Sequence, residues 1–273
     1  MISKTSKVGI IGAGNVGADV ANALVLLGRC VRVVLFDRTL SKAEGQVWDI
    51  EDSIPLLKEM EIIPSNQYED LADSDIIIVT AGVQPKLGQT RLDTLSDNAE
   101  IISSTIKELD RVAPNSIVLI ISNPVDVLTR IAIATSTRAE NLIFGSGTVL
   151  DTARLRYQLG KRLNVAKQDV HAYVIGEHGD SEFVVWSSAF IGGILLTKFP
   201  IPQGATLEQI QQEYIQLTRK RGYNIFERKG NTSYGISTVV CQLVDTILRD
   251  EKQIFPLVVA AIISTPNMFW KNE

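Results

Sequence analysis

Short apolar runs alternate with amphipathic stretches along the first half of the chain. "KVGII" (7–11) and "VRVVLF" (31–36) predict the first two strands. "DIIIVT" (75–80) and "SIVLIIS" (116–122) are near-continuous apolar runs, the pattern of strands buried on both faces of a parallel sheet; "NLIF" (141–144) predicts one more. Between them, residues 16–27 are rich in Ala, Val and Leu, and Ile101, Ile102, Thr105, Ile106, Leu109 and Val112 recur at helical spacing. Strands alternating with helices predict a doubly wound α/β domain. After Gly145 the pattern changes. A helix is predicted over 151–160, ending at Gly160, then two strands ("HAYVI" and "EFVVW") joined by the turn "GEHGDS" (176–181), then helices over about 206–227 and 233–249. That succession is mixed α+β. It predicts two domains, 1–145 and 146–273, with no internal repeat.

Composition narrows the class without naming it. The 273 residues are 45% hydrophobic, enough for a large core and two lobes around a cleft. Net charge is −4 and no basic run points to nucleic acid. Two cysteines, Cys30 and Cys241, are too few and too far apart for a disulfide framework and suit a reducing cytoplasm. The apolar run at the N-terminus leads straight into a glycine motif, unlike a signal peptide. The longest uncharged stretch, 253–270, carries Pro256 and Pro266 and is shorter than the ~20 residues a membrane-spanning helix needs.

"GAGNVG" (12–17) follows the first strand and opens the first helix. In that context G-x-G-x-x-G indicates a Rossmann-type dinucleotide site. Gly12 permits the turn, Gly14 lets a pyrophosphate approach the backbone, and Gly17 lets helix and strand pack closely. The second strand ends in Asp37, where a carboxylate accepts ribose hydroxyls and repels a 2′-phosphate, so NAD is expected over NADP despite Arg38 beside it. "DTAR" (151–154) puts an acid and an arginine on one helix face. Arg154 suits a substrate carboxylate held bidentately; Asp151 could orient an imidazole, or the two could form an ordinary surface ion pair. "GVQPKLGQTR" (82–91) lies beyond the carboxyl end of a strand, where ligands bind in such sheets, and offers Arg91 to polarise a carbonyl; a solvated crossover loop is the plainer alternative. Only two histidines exist, and His178 stands in GEHGDS between glycines, where its ring is accessible.

GAGNVG, Asp37, the loop ending in Arg91, "SNPVD" (122–126), "LDTAR" (150–154) and GEHGDS occur in the order found in the lactate/malate dehydrogenase family, and the chain resembles it over about 7–249. The resemblance implies hydride exchange between NAD and a small 2-keto or 2-hydroxy acid. It implies that His178 carries the proton, Asp151 orients it, Arg154 holds the carboxylate and Arg91 polarises the carbonyl. It implies cofactor contacts at Gly12, Gly14, Val16, Gly17, Asp37, Gly82 and Asn123, with Asn123 also meeting substrate and a cis Asn123–Pro124 bond. "KGNTSY" (229–234) resembles the lactate branch, which puts Thr232 in the substrate pocket. Arg156 and His171 match positions that bind fructose 1,6-bisphosphate in the activated members, the alternative being a strand histidine and a helix arginine at a subunit contact. A cytoplasmic, allosteric homotetramer in glycolytic carbohydrate metabolism, with no metal, completes the implied description.

Two departures from the family set further expectations. The loop position that discriminates substrates is Pro85, which offers no side-chain hydrogen bond; either Gln84 takes the role or the pocket accepts a bulkier 2-keto acid. The missing arginine there argues against malate. Beyond Pro256 the sequence loses the family pattern, where relatives continue with strands and a long terminal helix. The substrate domain is therefore expected to be incomplete, with an unpaired sheet edge and open apolar surface. A catalytically impaired, cofactor-binding homologue that expresses poorly is the alternative function this raises, from a truncated gene or from a short variant covered by a partner chain.

Overall fold

The computed structural model describes residues 6–83, 94–201 and 204–260. The first half holds β1 (Lys7–Ile11), α1 (Asn15–Leu27), β2 (Arg32–Phe36), α2 (Leu40–Glu51), β3 (Glu61–Ser65), β4 (Ile76–Val79), α3 (Leu95–Val112), β5 (Ile117–Ile120), α4 (Val125–Thr135) and β6 (Ile143–Gly145). All six strands are parallel, in the order β3-β2-β1-β4-β5-β6. The direction of strand order reverses between β1 and β4, and in such sheets ligands bind beyond the carboxyl ends at that point.

Side-chain alternation builds a layer on each face. Ile76 and Ile78 of β4 pack with Val8, Ile10, Leu35 and the Val20 and Leu24 face of α1. Ile77 and Val79 point the other way, onto Ile102, Ile106 and Leu109 of α3 and Leu128 and Ala132 of α4. Both faces of the strand are thus dry, which is why the strand reads as an unbroken apolar run.

The second half holds α5 (Val149–Arg162), the two-residue strands β7 (Val170–His171), β8 (Val174–Ile175), β9 (Phe183–Val184), β10 (Phe190–Ile191) and β11 (Ile194–Leu195), then α6 (Leu207–Lys229) and α7 (Tyr234–Leu248). A third core joins Leu155 and Leu159 of α5, Val174, Val184, Ile191, and Ile210 and Tyr214 of α6. Helix α6 starts with a reciprocal capping box between Thr206 and Gln209 and stops at left-handed Gly230. Helix α7 returns to the first half, where Val240, Leu243 and Val244 share the core of α1.

Helix α5 does not stop at Gly160, as its glycine suggested, but runs on to Arg162. A Cβ on Gly160 would sit 3.1 Å from Cγ and 3.2 Å from Cα of Lys167. The glycine serves close packing of the following segment, and helix termination happens elsewhere. The last described residues lie along β6: Gly145 donates its N–H to the Val258 carbonyl (2.8 Å) and Val258 returns one (3.1 Å). What the sequence suggested for residues 261–273 lies outside the described residues. Cys30 and Cys241 are free and buried. Among the described residues no helix is long and apolar enough to cross a membrane.

Candidate active site

The glycine motif forms a cradle at the N-terminus of α1. Gly12 has φ +107°, and a Cβ there would lie 2.9 Å from the Ala81 nitrogen and the Thr80 hydroxyl. A Cβ on Gly17 would fall 1.8 Å from the Gly12 carbonyl oxygen, so no side chain fits. Gly14 differs: a Cβ there would meet nothing within 4 Å. The backbone at Gly14 faces open space next to the free amides that begin α1, and Val16, in the first turn of α1, is half-buried. Such a terminus suits a diphosphate.

Asp37 ends β2 and is buried. One oxygen accepts the Ala13 amide (2.9 Å), the other the Thr39 amide (3.1 Å), and Lys42 stands 3.4 Å away. Burial alone would raise its titration; the Thr39 and Ala13 amides and the Lys42 charge outweigh it and hold the carboxyl below its ordinary value. The oxygen that accepts Thr39 keeps a second lone pair for a ribose hydroxyl, while the one that accepts Ala13 also meets Lys42 Nζ. These residues fit a dinucleotide: an open glycine backbone for its phosphates and an ionised acid for its diol. Arg38 is exposed beside them.

Asn98 of α3 is a residue that sequence reasoning missed. It is buried, its oxygen accepts the Val83 amide (2.6 Å), and its nitrogen donates to the carbonyls of Val83 (3.2 Å) and Asn123 (3.1 Å). It therefore joins the segment after β4 to the exposed Asn123 at the end of β5, and Gly82 leaves room for it, since a Cβ there would lie 3.1 Å from the Asn98 oxygen. The Asn123–Pro124 bond is cis, as the resemblance implied. Gln84, Pro85 and Arg91 lie outside the described residues.

Helix α5 carries Asp151, with 2% of its side chain exposed. One carboxylate oxygen is 2.6 Å from His178 Nδ1 and the other accepts Arg154 Nη1 at 2.9 Å. The arrangement is therefore no surface ion pair; one buried acid holds both partners. Burial pushes the Asp151 titration up, but the His178 hydrogen bond and the His178 and Arg154 charges override it, and the group is held below the ordinary aspartate range. An acid on Nδ1 leaves Nε2 as the imidazole's working atom and stabilises its protonated form. The His178 backbone is fixed as well: its amide donates to the Asp126 carboxylate at the start of α4 (3.0 Å). Asp126 lies within SNPVD, and its contact to a backbone atom 52 residues away leaves no sequence signal.

The remaining expected residues are spread around this centre. The Arg154 guanidinium faces Gly222 of α6, where a Cβ would sit 3.6 Å from either terminal nitrogen. Thr232 is half-buried between α6 and α7. Arg156 points away from Asp151, donating Nε to the Ala172 carbonyl (3.0 Å) with its guanidinium carbon 4.7 Å from the Tyr173 ring centre. His171 is exposed on β7, next in sequence to Ala172. Glu182, which the sequence reading did not single out, is buried beside the Asp151–His178 pair.

Known proteins share this architecture and sequence. A family described as lactate/malate dehydrogenase, NAD binding domain, matches residues 6–145, and one described as lactate/malate dehydrogenase, alpha/beta C-terminal domain, matches 148–263. The L-lactate dehydrogenase of Clostridium perfringens (strain 13 / Type A) is 40% identical over 252 residues, 92% of this chain and 79% of the relative. That of Chloroherpeton thalassium is 40% identical over 249 residues, 91% of this chain and 81% of the relative. The solved minor L-lactate dehydrogenase of Enterococcus mundtii superposes with a TM-score of 0.88 at 35% identity, covering 93% of this chain and 81% of that one. A lactate dehydrogenase from a Medee basin deep-sea metagenome library gives 0.88 at 37% identity, covering 95% and 82%.

Proposed function

The chain belongs to the lactate/malate dehydrogenase family, and we propose that it is an NAD-dependent L-2-hydroxy-acid dehydrogenase that interconverts pyruvate and L-lactate. The observation that carries this reading is the buried Asp151 bonded at once to His178 and Arg154. When bound, the nicotinamide supplies the hydride exchanged with the substrate's carbonyl carbon. His178, protonated, gives its Nε2 proton to the carbonyl oxygen, and takes it back when lactate is the substrate. Asp151 keeps the ring in the tautomer that allows this. Arg154 retains further N–H donors for the substrate carboxylate, a planar fork matching a planar anion. Asn123 and Thr232 line the substrate side, and Arg91 and Gln84 are assigned to the loop over it on the resemblance alone. NADH oxidation assayed against a panel of 2-keto acids tests the proposal: pyruvate turnover is expected, and binding of NADH without turnover of any keto acid would favour an impaired homologue.

One observation favours a bulkier substrate as a second reading. Gly222 puts no side chain against the Arg154 guanidinium, where even a Cβ would be in van der Waals contact at 3.6 Å. Together with Pro85 this supports a pocket that also takes longer apolar 2-keto acids, and the same panel ranks them.

For the cofactor, Asp37→Ser is expected to lower NADH affinity by at least about tenfold, since Ala13 and Thr39 lose a charged acceptor. It should also narrow the NADH-over-NADPH preference, measured by fluorescence titration of both. A wild-type protein that already prefers NADPH would overturn the NAD assignment and make Arg38 the reader.

By resemblance we also assign the chain to a cytoplasmic homotetramer of glycolytic carbohydrate metabolism, with fructose 1,6-bisphosphate as effector at Arg156 and His171. Arg156 beside Ala172 and exposed His171 next to it support a phosphate-holding pair. Calorimetric uptake of the bisphosphate, lost in Arg156→Ala, is the expected result; no uptake at millimolar effector rejects it.

A further inference from the structure

We propose that Glu182 is a positioning residue for the reaction: a third carboxyl that shares the buried site of Asp151 and His178 and sets how firmly His178 holds its proton. The proposal rests on the dehydrogenase reading above. An oxygen of Glu182, an oxygen of Asp151 and a ring nitrogen of His178 lie within 4.8 Å of one another. Glu182 is 1% exposed, and its Oε1 is buried with no hydrogen-bond partner among the described residues. A buried polar atom without a partner is costly, and in a native protein it calls for an explanation, which a role in the reaction supplies.

The charges around it explain its state. Asp151 and Arg154 face it from α5, Arg219 from α6 and His178 from its own loop. Asp151 is already anchored as an anion by two partners. Arg219 spends Nη2 on the backbone carbonyl of Glu182, not on its carboxylate, and its Nε has no partner among the described residues. Among the described residues, therefore, no direct ion pair fixes Glu182 in the ionised form. Burial, followed by the Asp151 charge, pushes its titration up to about 7, against the opposing pull of His178, Arg219 and Arg154.

Near neutral pH Glu182 is thus part acid, part anion. As pH rises its proton leaves to solvent, and the new negative charge beside the ring favours the imidazolium. The ring keeps its proton to higher pH than Asp151 alone would allow, which extends reduction of the keto acid into the alkaline range. The two groups titrate as a coupled pair.

The test is the pH dependence of kcat/KM for pyruvate in Glu182→Gln and Glu182→Asp. Reduction needs protonated His178, so the rate falls on the alkaline side. The glutamine variant should move that limb to lower pH by about one unit, because a charge within a few ångströms is removed. The acidic limb of lactate oxidation should move the same way, with plateau kcat within a few-fold of wild type. The aspartate variant, which keeps the charge, should stay near wild type. An unmoved limb in a folded glutamine variant overturns the proposal. Should that variant not fold, the wild-type His178 ring can be titrated by nitrogen-15 NMR. The chain has 2 histidines, and the His178 signals are those lost in His178→Asn. A two-step titration is expected and a single-step curve overturns the proposal. Full turnover in His178→Asn would instead sink the reading underneath.

Discussion

Replacing His178 with asparagine is expected to lower kcat at least ~10²-fold while NADH affinity stays within a few-fold of wild type. The separation follows from where the groups sit. The cofactor cradle is built from Gly12, Gly14, Gly17 and Asp37 at the ends of β1 and β2, whereas His178 is held from α5 and α4. Asparagine can still donate its backbone amide to Asp126, so the loop should keep its place, but it has no group that titrates near neutral pH. Single-turnover reduction of pyruvate by prebound NADH is the direct measurement. Near-wild-type rates would mean that another group carries the proton.

The second large effect is expected from Asp151→Asn. The carboxylate's charge is lost to both partners, and the amide can present its NH₂ to Nδ1, which favours the wrong tautomer. A fall in kcat/KM on the order of 10³-fold or more is expected. Stability should fall too, by about 3 kcal/mol at neutral pH, because His178 and Arg154 lose a buried partner. The sign of the pH dependence is set by the downward shift of Asp151. A carboxyl depressed in the folded state stabilises above its unfolded titration, near 3.9, and that stabilisation is lost as pH falls through the folded value. Urea unfolding should therefore show a deficit for the variant at neutral pH that shrinks in strong acid. A deficit independent of pH would mean that packing, not charge, is what Asp151 contributes.

Legibility in the sequence follows burial. Strands β1, β2, β4 and β5 were readable because both faces are dry and, apart from Lys7 and Arg32 at the starts of β1 and β2, no position carries a polar side chain. Strand β3 was not: it contains Pro64, which demotes a strand reading, and the structure resolves the conflict by placing it at the sheet edge. Helix α2 buries only Ala43, Val47 and Ile50, too few apolar positions to announce it. Strands β8 and β9 were legible as the runs HAYVI and EFVVW on either side of GEHGDS, and they pair antiparallel, though only two residues of each run are strand; β10 and β11, two residues each, are below the length at which alternation can be seen. In the site, Asp151 and Arg154 were legible as a pair through their helical spacing. The tie from Asp151 to His178 spans 27 residues and came from resemblance, not from any local pattern. Asn98 and Asp126 act on backbone atoms far away in the chain, and the role proposed for Glu182 rests on an oxygen with no hydrogen-bond partner among the described residues. No residue type at those positions advertises such a role.

The bridge between Gly145 and Val258 also bears on the order in which the protein is made. The rest of the parallel sheet is complete once β6 has been synthesised, yet the outer edge of β6 meets its partner only when Val258 arrives. At about 5–20 residues per second the ribosome takes on the order of ten seconds to reach it. During that interval β6 presents open backbone donors and acceptors, a template for any other extended segment nearby. A nascent chain stalled between the two positions should therefore recruit chaperones more strongly than one released past Val258.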